Sequence, residues 1–173
     1  MSQDLHRIEE DFFIRDVLEV APELIGKYLV HSNGSNRKSY RITEAEAYRG
    51  EIDLACHASK GRTKRTEIMY HAGGHLYVYL IYGMYWMLNI VTGAVNHPQA
   101  ILIRGIEGFN GPGKLTRELG IDESYYGEHL CKSERIWMAD AGITPPFYTT
   151  PRIGINYAGE PWISKPWRYI IQK

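Results

Sequence analysis

The spacing of apolar side chains changes along the chain, and each change predicts a different kind of secondary structure. In residues 8–25 apolar positions lie among acids in a pattern typical of short helices. Asp16 is suited to cap a helix over 17–20, and Pro22 is suited to open the next one. Two later segments also predict helices, namely 114–119, which Gly120 ends, and 132–140.

Strands are predicted where β-branched and aromatic residues cluster. The richest segment, 75–91, predicts two strands joined by a turn near Tyr82–Gly83. Residues 49–74 are rich in Gly, Lys and Arg and predict a long loop. Since no repeat or linker divides the 173 residues, we expect one domain over residues 1–173. The other predicted strands are 40–48, 99–107 and 152–157.

The composition, 44% hydrophobic and 23% charged, is that of an ordinary globular protein. Acids and bases number 20 each, and a net charge of zero argues by itself against a nucleic-acid partner. The charges are unevenly distributed, however. Residues 1–25 carry seven acids and two bases, residues 26–65 carry nine bases and four acids, and residues 152–173 have a net charge of +3. From charge alone, this pattern also fits a solvated mixed surface.

Neither cysteine usage nor hydropathy indicates a secreted or membrane protein. Cys56 and Cys131 are too few for a disulfide framework. No apolar run approaches the length of about eighteen residues that indicates a membrane span, and residues 1–4 show no features of a secretory signal. We therefore expect an intracellular protein without a membrane partner, in the cytoplasm or nucleoid if its source is a prokaryote.

Two carboxylates are predicted to share one face of a strand, because alternate residues of a strand point the same way. That face would hold Ile42, Glu44, Glu46 and Tyr48. A buried carboxylate here would have a raised pKa and could act as a general base, whereas on an edge strand both acids would simply be solvated. Arg104, in an otherwise apolar strand, needs a carboxylate partner if it is buried, and either glutamate would serve.

Aromatic residues are concentrated before and within the predicted hairpin, where five tyrosines and Trp86 fall within seventeen residues. Most such residues belong to cores. Tyr82 differs because a side chain at a hairpin tip has little of its own chain to contact. A partner protein, a membrane surface or a stack of bases could cover it, and side chains that enter base steps are often of this kind.

Two familiar motifs are incomplete. Gly108–Leu115 has the spacing of a phosphate-binding loop, but it ends in Leu115 rather than a hydroxyl residue, and Pro112 lacks a backbone donor. His71 and His75 are four residues apart, yet two intervening glycines argue against a helical pair of metal ligands. We expect neither nucleotide triphosphate binding nor a metal site.

A set of motifs occurs in a fixed order along the chain: Glu44–Tyr48, His57, Leu76–Tyr85, Asn89, Leu102–Arg104, Gly111–Lys114 and Arg152–Ile155. Together they closely resemble the alkyladenine (3-methyladenine) DNA glycosylase family. The resemblance extends from about Phe12 to Tyr169. It implies a single mixed α+β domain with a curved antiparallel sheet and a protruding aromatic β-hairpin, related to the formyltransferase C-terminal domain.

The resemblance also implies an activity. The protein would be a monofunctional enzyme of base excision repair that flips alkylated or otherwise damaged purines out of double-stranded DNA. It would hydrolyse the N-glycosidic bond and leave an abasic site. The family pattern implies no metal or cofactor, and we expect a monomer.

The resemblance implies a role for each matched position. Glu46 would be the general base that activates water, with Arg104 and the main-chain carbonyl of Ile153 helping to hold the water. Asn89 would clash with the exocyclic amino group of guanine, and Tyr82 would fill the gap left in the base stack. The flipped base would contact Tyr48, Ala55, His57 and Tyr79, and the DNA would also contact Met84, Tyr85, Arg65 and Lys114.

Two features depart from a simple match. Glu67 stands where family members often carry a base, so a phosphate contact there is in doubt, although Lys64 is placed to compensate. A two-residue turn at 82–83 would put Tyr79 and Asn89 on opposite faces of the hairpin. We therefore predict a bulge between residues 82 and 89 that brings them to the same face.

Two other functions remain open from the sequence. Glu44 and Glu46 could form the carboxylate pair of an O-glycoside hydrolase. The domain could also bind nucleic acid without catalysis. Under the glycosylase hypothesis, the positive charge over 26–65 and 152–173 should surround the cleft, while the acidic segment 1–25 should lie elsewhere.

Overall fold

The computed structural model describes residues 4–173, which form a ten-stranded sheet. Residues 1–3 lie outside the described residues. The expected lack of a secretory signal and the first positions of the expected domain fall on them. All the strand pairings are antiparallel. The strands are β1 (His6–Arg7), β2 (Tyr28–Ser32), β3 (Arg37–Tyr48), β4 (Leu76–Ile81), β5 (Tyr85–Thr92), β6 (Gln99–Ile106), β7 (Phe109–Asn110), β8 (Ile136–Asp140), β9 (Phe147–Thr150) and β10 (Arg168–Ile171).

The long strand β3 organises the sheet. The strand order is β1-β8-β2-β3-β6-β5-β4, with β10 pairing with β3 and β9, and β7 pairing with β6. The first half of β3 pairs with β2, whereas its second half lies between β6 and β10. Glu44 and Glu46 are therefore on an interior strand, and the interpretation of both as solvated acids on an edge strand is wrong.

Helices are few and short, in agreement with the predicted α+β class. They are α1 (Glu10–Phe13), α2 (Val17–Leu24) and α3 (Pro112–Leu119). None of the helices within residues 4–173 has the length and apolar character needed to cross a membrane. Turns of 3-10 helix occupy Gly50–Ile52, His57–Lys60, Glu67–Tyr70, Glu123–Tyr125, Asn156–Ala158 and Trp162–Ser164, so the predicted loop 49–74 contains three of them.

Helix α2 begins as predicted but does not stop before Pro22. The Asp16 side chain accepts a hydrogen bond from the Leu18 N–H (2.9 Å). Proline inside a helix costs about 3 kcal/mol. The helix also buries Val17 and Leu24 completely, each contributing roughly 1.5–3 kcal/mol. This burial against the sheet offsets the cost of the proline, so a single helix forms.

Two other predicted elements are wrong. The segment 132–140 ends in strand β8 instead of forming a helix, because Ile136 and Met138 alternate into the core. The segment 152–157 is not a strand. Gly154 there adopts a φ of +73°, which interrupts extended backbone, and a 3-10 turn follows.

The aromatic hairpin has a three-residue turn, and the predicted bulge is wrong. The ladder between β4 and β5 is regular, pairing Tyr77 with Asn89 and Tyr79 with Met87. The turn consists of Tyr82–Met84. One extra residue in the turn shifts the pairing by one position, which places Tyr79 and Asn89 on the same face without a bulge.

The expected alternation along β3 is also interrupted. The register between β3 and β6 shifts on either side of Glu44, which pairs with Gly105. As a result Ile42 packs in the same core cluster as Ala45 and Ala47, rather than sharing a face with Glu44 as predicted. The irregularity lies directly beside the two carboxylates.

The main hydrophobic core lies between one face of the sheet and side chains from α2 and α3. Ala47, Val78, Leu88 and Ile103 belong to this core. Because neighbouring residues of a strand point to opposite faces, the residues adjacent to these positions project to the other side of the sheet. That second face carries the polar and aromatic side chains described below.

Candidate active site

A cleft of about 760 Å³ opens on this second face of the sheet. Two predicted site residues do not line it. Glu46 is 0% exposed and lies directly behind lining residues that contact its carboxylate, and Met84 lies at the hairpin tip, where it is 64% exposed. The structure brings together the other predicted site residues, since the lining includes Tyr48, Ala55, His57, Arg65, Tyr79, Tyr82, Tyr85, Asn89, Arg104, Lys114 and Ile153.

The buried Glu46 carboxylate receives hydrogen bonds on both oxygens. The Tyr48 hydroxyl donates to Oε1 (2.9 Å), and the backbone N–H of Ile153 donates to Oε2 (2.6 Å). Nη1 of Arg104 lies 3.5 Å from Oε1. The resemblance assigns the carbonyl of Ile153 to the water, whereas the observed contact with Glu46 comes from the N–H of the same residue.

Two opposing effects act on the pKa of the Glu46 carboxyl. Burial raises it, while the Arg104 charge, the Ile153 N–H and the Tyr48 hydroxyl lower it, and the net direction is upward. A carboxylate with a raised pKa is a better proton acceptor than an exposed one. Glu46 is therefore suited to take a proton from water near neutral pH.

Arg104 bridges the two carboxylates of β3. The sequence left its partner open, and the structure shows contacts with both. Nε donates to Glu44 Oε1 (3.1 Å), and Nη1 faces Glu46. The same Glu44 oxygen accepts a bond from Nε of Arg168 (2.6 Å), a residue that sequence reasoning missed.

Aromatic rings form the walls of the cleft. The His57 and Tyr79 ring centroids are 4.7 Å apart, and Nδ1 of His57 lies 2.8 Å from the Tyr77 hydroxyl. Burial, assisted by repulsion from nearby bases, lowers the pKa of His57 to about 4, so the imidazole is neutral at neutral pH. Burial also raises the pKa of Tyr79 to about 12. These walls present neutral rings to a ligand.

The backbone of Ala55 is fixed on both sides. Its N–H donates to Oδ1 of Asp53 (3.1 Å), and its carbonyl accepts from the hydroxyl of Tyr157 (2.8 Å). Tyr157 lines the cleft and was missed from the sequence, where nothing in its spacing distinguishes it. The carbonyl oxygen retains a second lone pair, so the predicted contact with a base is compatible with this arrangement.

A fully buried ion pair supports the same wall. Nη1 of Arg152 lies 2.6 Å from Oδ2 of Asp53, and both side chains have 0% exposure. Nη1 also donates to the carbonyl of Ala47 (3.0 Å), and the guanidinium lies 4.8 Å from the Tyr48 ring centroid. Sequence reasoning assigned neither charged residue a role, although Arg152 directly precedes Ile153 in a matched motif.

Asn89 has a fixed orientation on the floor of the cleft. It is 3% exposed, and its Nδ2 donates to the carbonyl of Tyr77 on the neighbouring strand (3.1 Å). A side chain held in this way cannot turn aside easily when a ligand enters. Its exclusion of guanine remains a prediction that this rigidity supports.

The hairpin tip and the first turn of α3 flank the entrance. Tyr82 is 84% exposed and has a φ of +53°, which holds it in the tight turn. Tyr85 packs so closely on α3 that a Cβ at Gly113 would lie 2.9 Å from its ring. The guanidinium of Arg117, another residue missed from the sequence, lies 5.9 Å from the Tyr85 ring centroid.

The charge of the cleft is uniformly basic. Among the described residues, its lining contains Arg65, Arg104, Lys114 and Arg117 and no acidic residue. Residues 4–25 contribute nothing to the lining, so the described part of the acidic segment lies elsewhere, as predicted. The predicted source of the positive charge is largely wrong, because only Arg65 comes from 26–65, no lining base comes from 152–173, and the other three lie in 104–117. This arrangement favours an anionic ligand at the entrance.

The acid at position 67 is neutralised locally. Glu67 forms an ion pair with Arg62 (2.6 Å) and lies 3.6 Å from His71. The hydrogen bond from Arg62 lowers the pKa of Glu67 to about 2. The pair therefore removes much of the repulsion that this acid would exert on a phosphate, and compensation by Lys64 remains a prediction.

Three histidines outside the cleft pack against one another. His75 contacts the rings of both His71 and His129, with centroid distances of 5.5 and 4.6 Å. Cys56, which lines the cleft, and Cys131 are both free thiols. Among residues 4–173, no group of three or more His, Cys, Asp or Glu side chains is placed to hold a metal ion.

Comparison with known proteins gives the class to which this fold and site belong. The model of a family described as methylpurine-DNA glycosylase matches residues 11–109 and 107–173. The class is thus that of DNA glycosylases, which are hydrolases acting on DNA. The chain belongs to the methylpurine-DNA glycosylase family, and the resemblance inferred from its motifs is confirmed.

Similar proteins cover nearly the whole chain. One from Methanocella arvoryzae, provisionally named 3-methyladenine DNA glycosylase, is 42% identical over 182 residues and covers 94% of this chain and 90% of its own. Proteins with the same provisional name from Rickettsia africae and Rickettsia felis are each 44% identical over 171 residues. These alignments cover 95% of this chain and 89% and 92% of the respective relatives.

Proposed function

We propose that the protein is a monofunctional purine DNA glycosylase of base excision repair, which removes alkylated purines of the 3-methyladenine type from duplex DNA. The observation that carries the proposal is Glu46, a buried carboxylate that contacts three donors, each from a residue that lines an aromatic cleft. Family membership indicates the class of reaction, and Glu46 is the group suited to perform it.

In the proposed reaction, Glu46 accepts a proton from water as the water oxygen bonds to C1′ of the deoxyribose. The N-glycosidic bond breaks, and its electron pair leaves with the base. An abasic site remains. Arg104 and the carbonyl of Ile153 orient the water. A purine alkylated at N3 is cationic and leaves as a neutral base, so the reaction needs a base for water more than an acid for the leaving group.

The aromatic walls are suited to bind a base that has left the stack. Flipping a base out of a duplex costs a few kcal/mol, and less for a damaged base. Tyr48, His57 and Tyr79 would hold the flipped base, and a cationic purine gains about 0.5–2 kcal/mol from tyrosine rings. Asn89 would exclude guanine through its exocyclic amino group.

The entrance is suited to hold the duplex. Tyr82 would enter the gap left by the flipped base, with Met84 and Tyr85 alongside it. Arg65 and Lys114 would contact phosphates. We further propose that residues 1–173 form one domain that is related in fold to the formyltransferase C-terminal domain and acts as a monomer without a metal or cofactor.

The test is a base-release assay on duplexes carrying 3-methyladenine, 7-methylguanine, hypoxanthine or ethenoadenine. We expect free base and an alkali-labile abasic site from 3-methyladenine duplex, without strand cleavage before alkali treatment. Binding without release from any lesion would instead indicate a silent nucleic-acid-binding domain.

A glycoside panel in parallel tests the remaining alternative. An O-glycoside hydrolase would need Glu44 and Glu46 to act together on one substrate. The structure argues against this, because Oε1 of Glu44 is held by both Arg104 and Arg168. Cleavage of a glycoside with no release of a purine would overturn the proposed function.

A further inference from the structure

Four charged side chains form a continuous chain beside the cleft. Glu46 faces Arg104 (3.5 Å), Arg104 bonds to Glu44 (3.1 Å), and Glu44 bonds to Arg168 (2.6 Å). Their side chains are 0%, 15%, 10% and 20% exposed in that order. Three adjacent strands, β6, β3 and β10, contribute to the chain, so the sheet itself fixes the order of the charges.

The contacts of Arg104 are unequal. Its shorter contact is with Glu44, through Nε, and its longer contact is with Glu46, through Nη1. A largely buried guanidinium requires an ionic partner, because an unpaired charge is expensive to bury. Glu44 meets that requirement, so Arg104 can lie beside Glu46 without binding it closely.

The backbone is adapted to bring Glu44 to this position. The register shift pairs Glu44 with Gly105, where a Cβ would lie 2.8 Å from Thr43 Oγ1 and 3.2 Å from the Glu44 Cβ. Only glycine allows this approach of β3 to β6. A glutamate that served only as a solvated surface acid would not require such a contact.

We propose that Glu44, itself held by Arg168, is a positioning residue that fixes Arg104 and limits how strongly this guanidinium attracts the Glu46 carboxylate. The inference rests on the proposed function of Glu46 as the general base. Glu44 does not contact the substrate in this account. It acts through Arg104.

Other charged or titratable groups lie near Glu46, and substitutions of Glu44 or Arg168 leave them unchanged. Tyr48 contacts it from its own strand, and Arg152 and Tyr157 interact with it from the segment after β9. Tyr79 interacts from β4. The Glu44–Arg168 pair can therefore be varied against a fixed background.

The proposal predicts that two substitutions shift the pKa of Glu46 in opposite directions. In Glu44→Gln the anchor of Arg104 is lost, so Arg104 turns to Glu46, and the excess positive charge makes Glu46 a weaker base. In Arg168→Gln a positive charge is lost and Glu44 draws Arg104 towards itself, which makes Glu46 harder to ionise. The double variant keeps the wild-type net charge, so its Glu46 pKa should lie between those of the two single variants.

The experiment measures single-turnover base release from 3-methyladenine duplex as a function of pH. Glu44→Gln should lower the plateau about tenfold, within the range of general-base effects. It should also move the acid limb to lower pH, by about half a unit or more, because neighbouring charges shift carboxyl pKa values on this scale. Arg168→Gln should move the limb to higher pH. Glu107→Gln, which removes half of an exposed ion pair with Arg41, should move neither.

A second measurement does not depend on turnover. The titration midpoint of the Glu46 carboxyl, followed by carbon-13 NMR and assigned by its loss in Glu46→Gln, should fall in Glu44→Gln and rise in Arg168→Gln. Shifts in the same direction, or none, would overturn the proposal. If the Glu44→Gln variant does not fold, the Arg168→Gln variant, which changes a more exposed side chain, still tests the proposal by the direction in which it moves the titration midpoint of Glu46. Absence of base release by the wild-type protein would defeat the proposed function itself, whereas the titration of Glu46 would still test whether Glu44 positions Arg104.

Discussion

The Asp53–Arg152 ion pair joins two segments without strand structure on one side of the cleft. Asp53 fixes the backbone of Ala55, and Arg152 precedes Ile153, whose N–H contacts Glu46. Both charges are completely buried and bonded to each other through two contacts. One ion pair thus holds both the wall that we propose binds the base and a group that touches the proposed catalytic carboxylate.

Replacing Asp53 by Asn should therefore destabilise the whole protein. The change leaves the Arg152 guanidinium buried without an opposite charge, which typically costs about 3–5 kcal/mol. Urea denaturation measures the change in the free energy of unfolding. The matched control is Glu107→Gln, which breaks an exposed pair and should cost at most about 1 kcal/mol. Equal losses in both variants would show that the buried pair has no special role.

Sequence reasoning located residues on regular strands better than residues in irregular segments. Alternation along a strand predicts that Glu46 and Tyr48 share a face, because regular backbone fixes the direction of a side chain. Arg152 and Tyr157 lie where no such period applies. Their directions depend on distant partners, for example Asp53, which is 99 residues from Arg152 in the sequence.

The hairpin β4–β5 serves as a rigid support for an exposed tip. Its ladder is regular, and its inner face packs on the core through Val78 and Leu88. The tip residue Tyr82 has little contact with its own chain, being 84% exposed. Stability and binding are therefore separable at this element.

Tyr82→Ala should weaken lesion binding while leaving stability nearly unchanged. Loss of an aromatic side chain that stacks with bases costs about 1–3 kcal/mol, which corresponds to roughly 5- to 150-fold in affinity. Fluorescence anisotropy with a lesion duplex, in a Glu46→Gln background that prevents turnover, measures this affinity. Tyr148→Ala, at a half-exposed position on β9, is the control and should bind normally. Unchanged affinity in Tyr82→Ala would remove the tip from DNA recognition.

The type and order of most secondary-structure elements are easier to predict from the sequence than the turns and strand pairings that join them. The aromatic composition predicts both strands of the hairpin, but the length of the turn decides which face each residue occupies. A turn over Tyr82–Met84 rather than 82–83 replaced the expected bulge. The segment 132–140 was misassigned because its pairing with β2, which lies far away in the sequence, determines its conformation.

Over the whole molecule, the net charge of zero conceals a separation of charge. The charged side chains that line the cleft in the described part of the chain are all basic, and the described acidic leader packs on the other side of the sheet through α2. Few bases are positioned at the entrance, so sequence-independent affinity for DNA should be modest and should depend strongly on salt.

Lys114→Gln should reduce the salt dependence of duplex binding. Each phosphate contact contributes about 0.9 to the slope of log affinity against log salt concentration, so loss of one contact lowers the slope by roughly that amount. The measurement is a salt series of binding constants for an undamaged duplex. Lys38→Gln, an exposed position on β3 outside the cleft, should leave the slope unchanged. A uniform slope across the wild type and both variants would place Lys114 outside the interface.

The central claim is that Glu46 activates the water that displaces the damaged base. Its most direct test is single-turnover release of 3-methyladenine from duplex DNA by Glu46→Gln and by the wild-type protein, with binding to the same duplex measured in parallel. We predict that Glu46→Gln releases base at least about a hundredfold more slowly, in line with loss of a general base, while its affinity for the lesion duplex is retained. Glu19→Gln, at an exposed position on α2, should match the wild type. Release by Glu46→Gln at the wild-type rate would contradict the account.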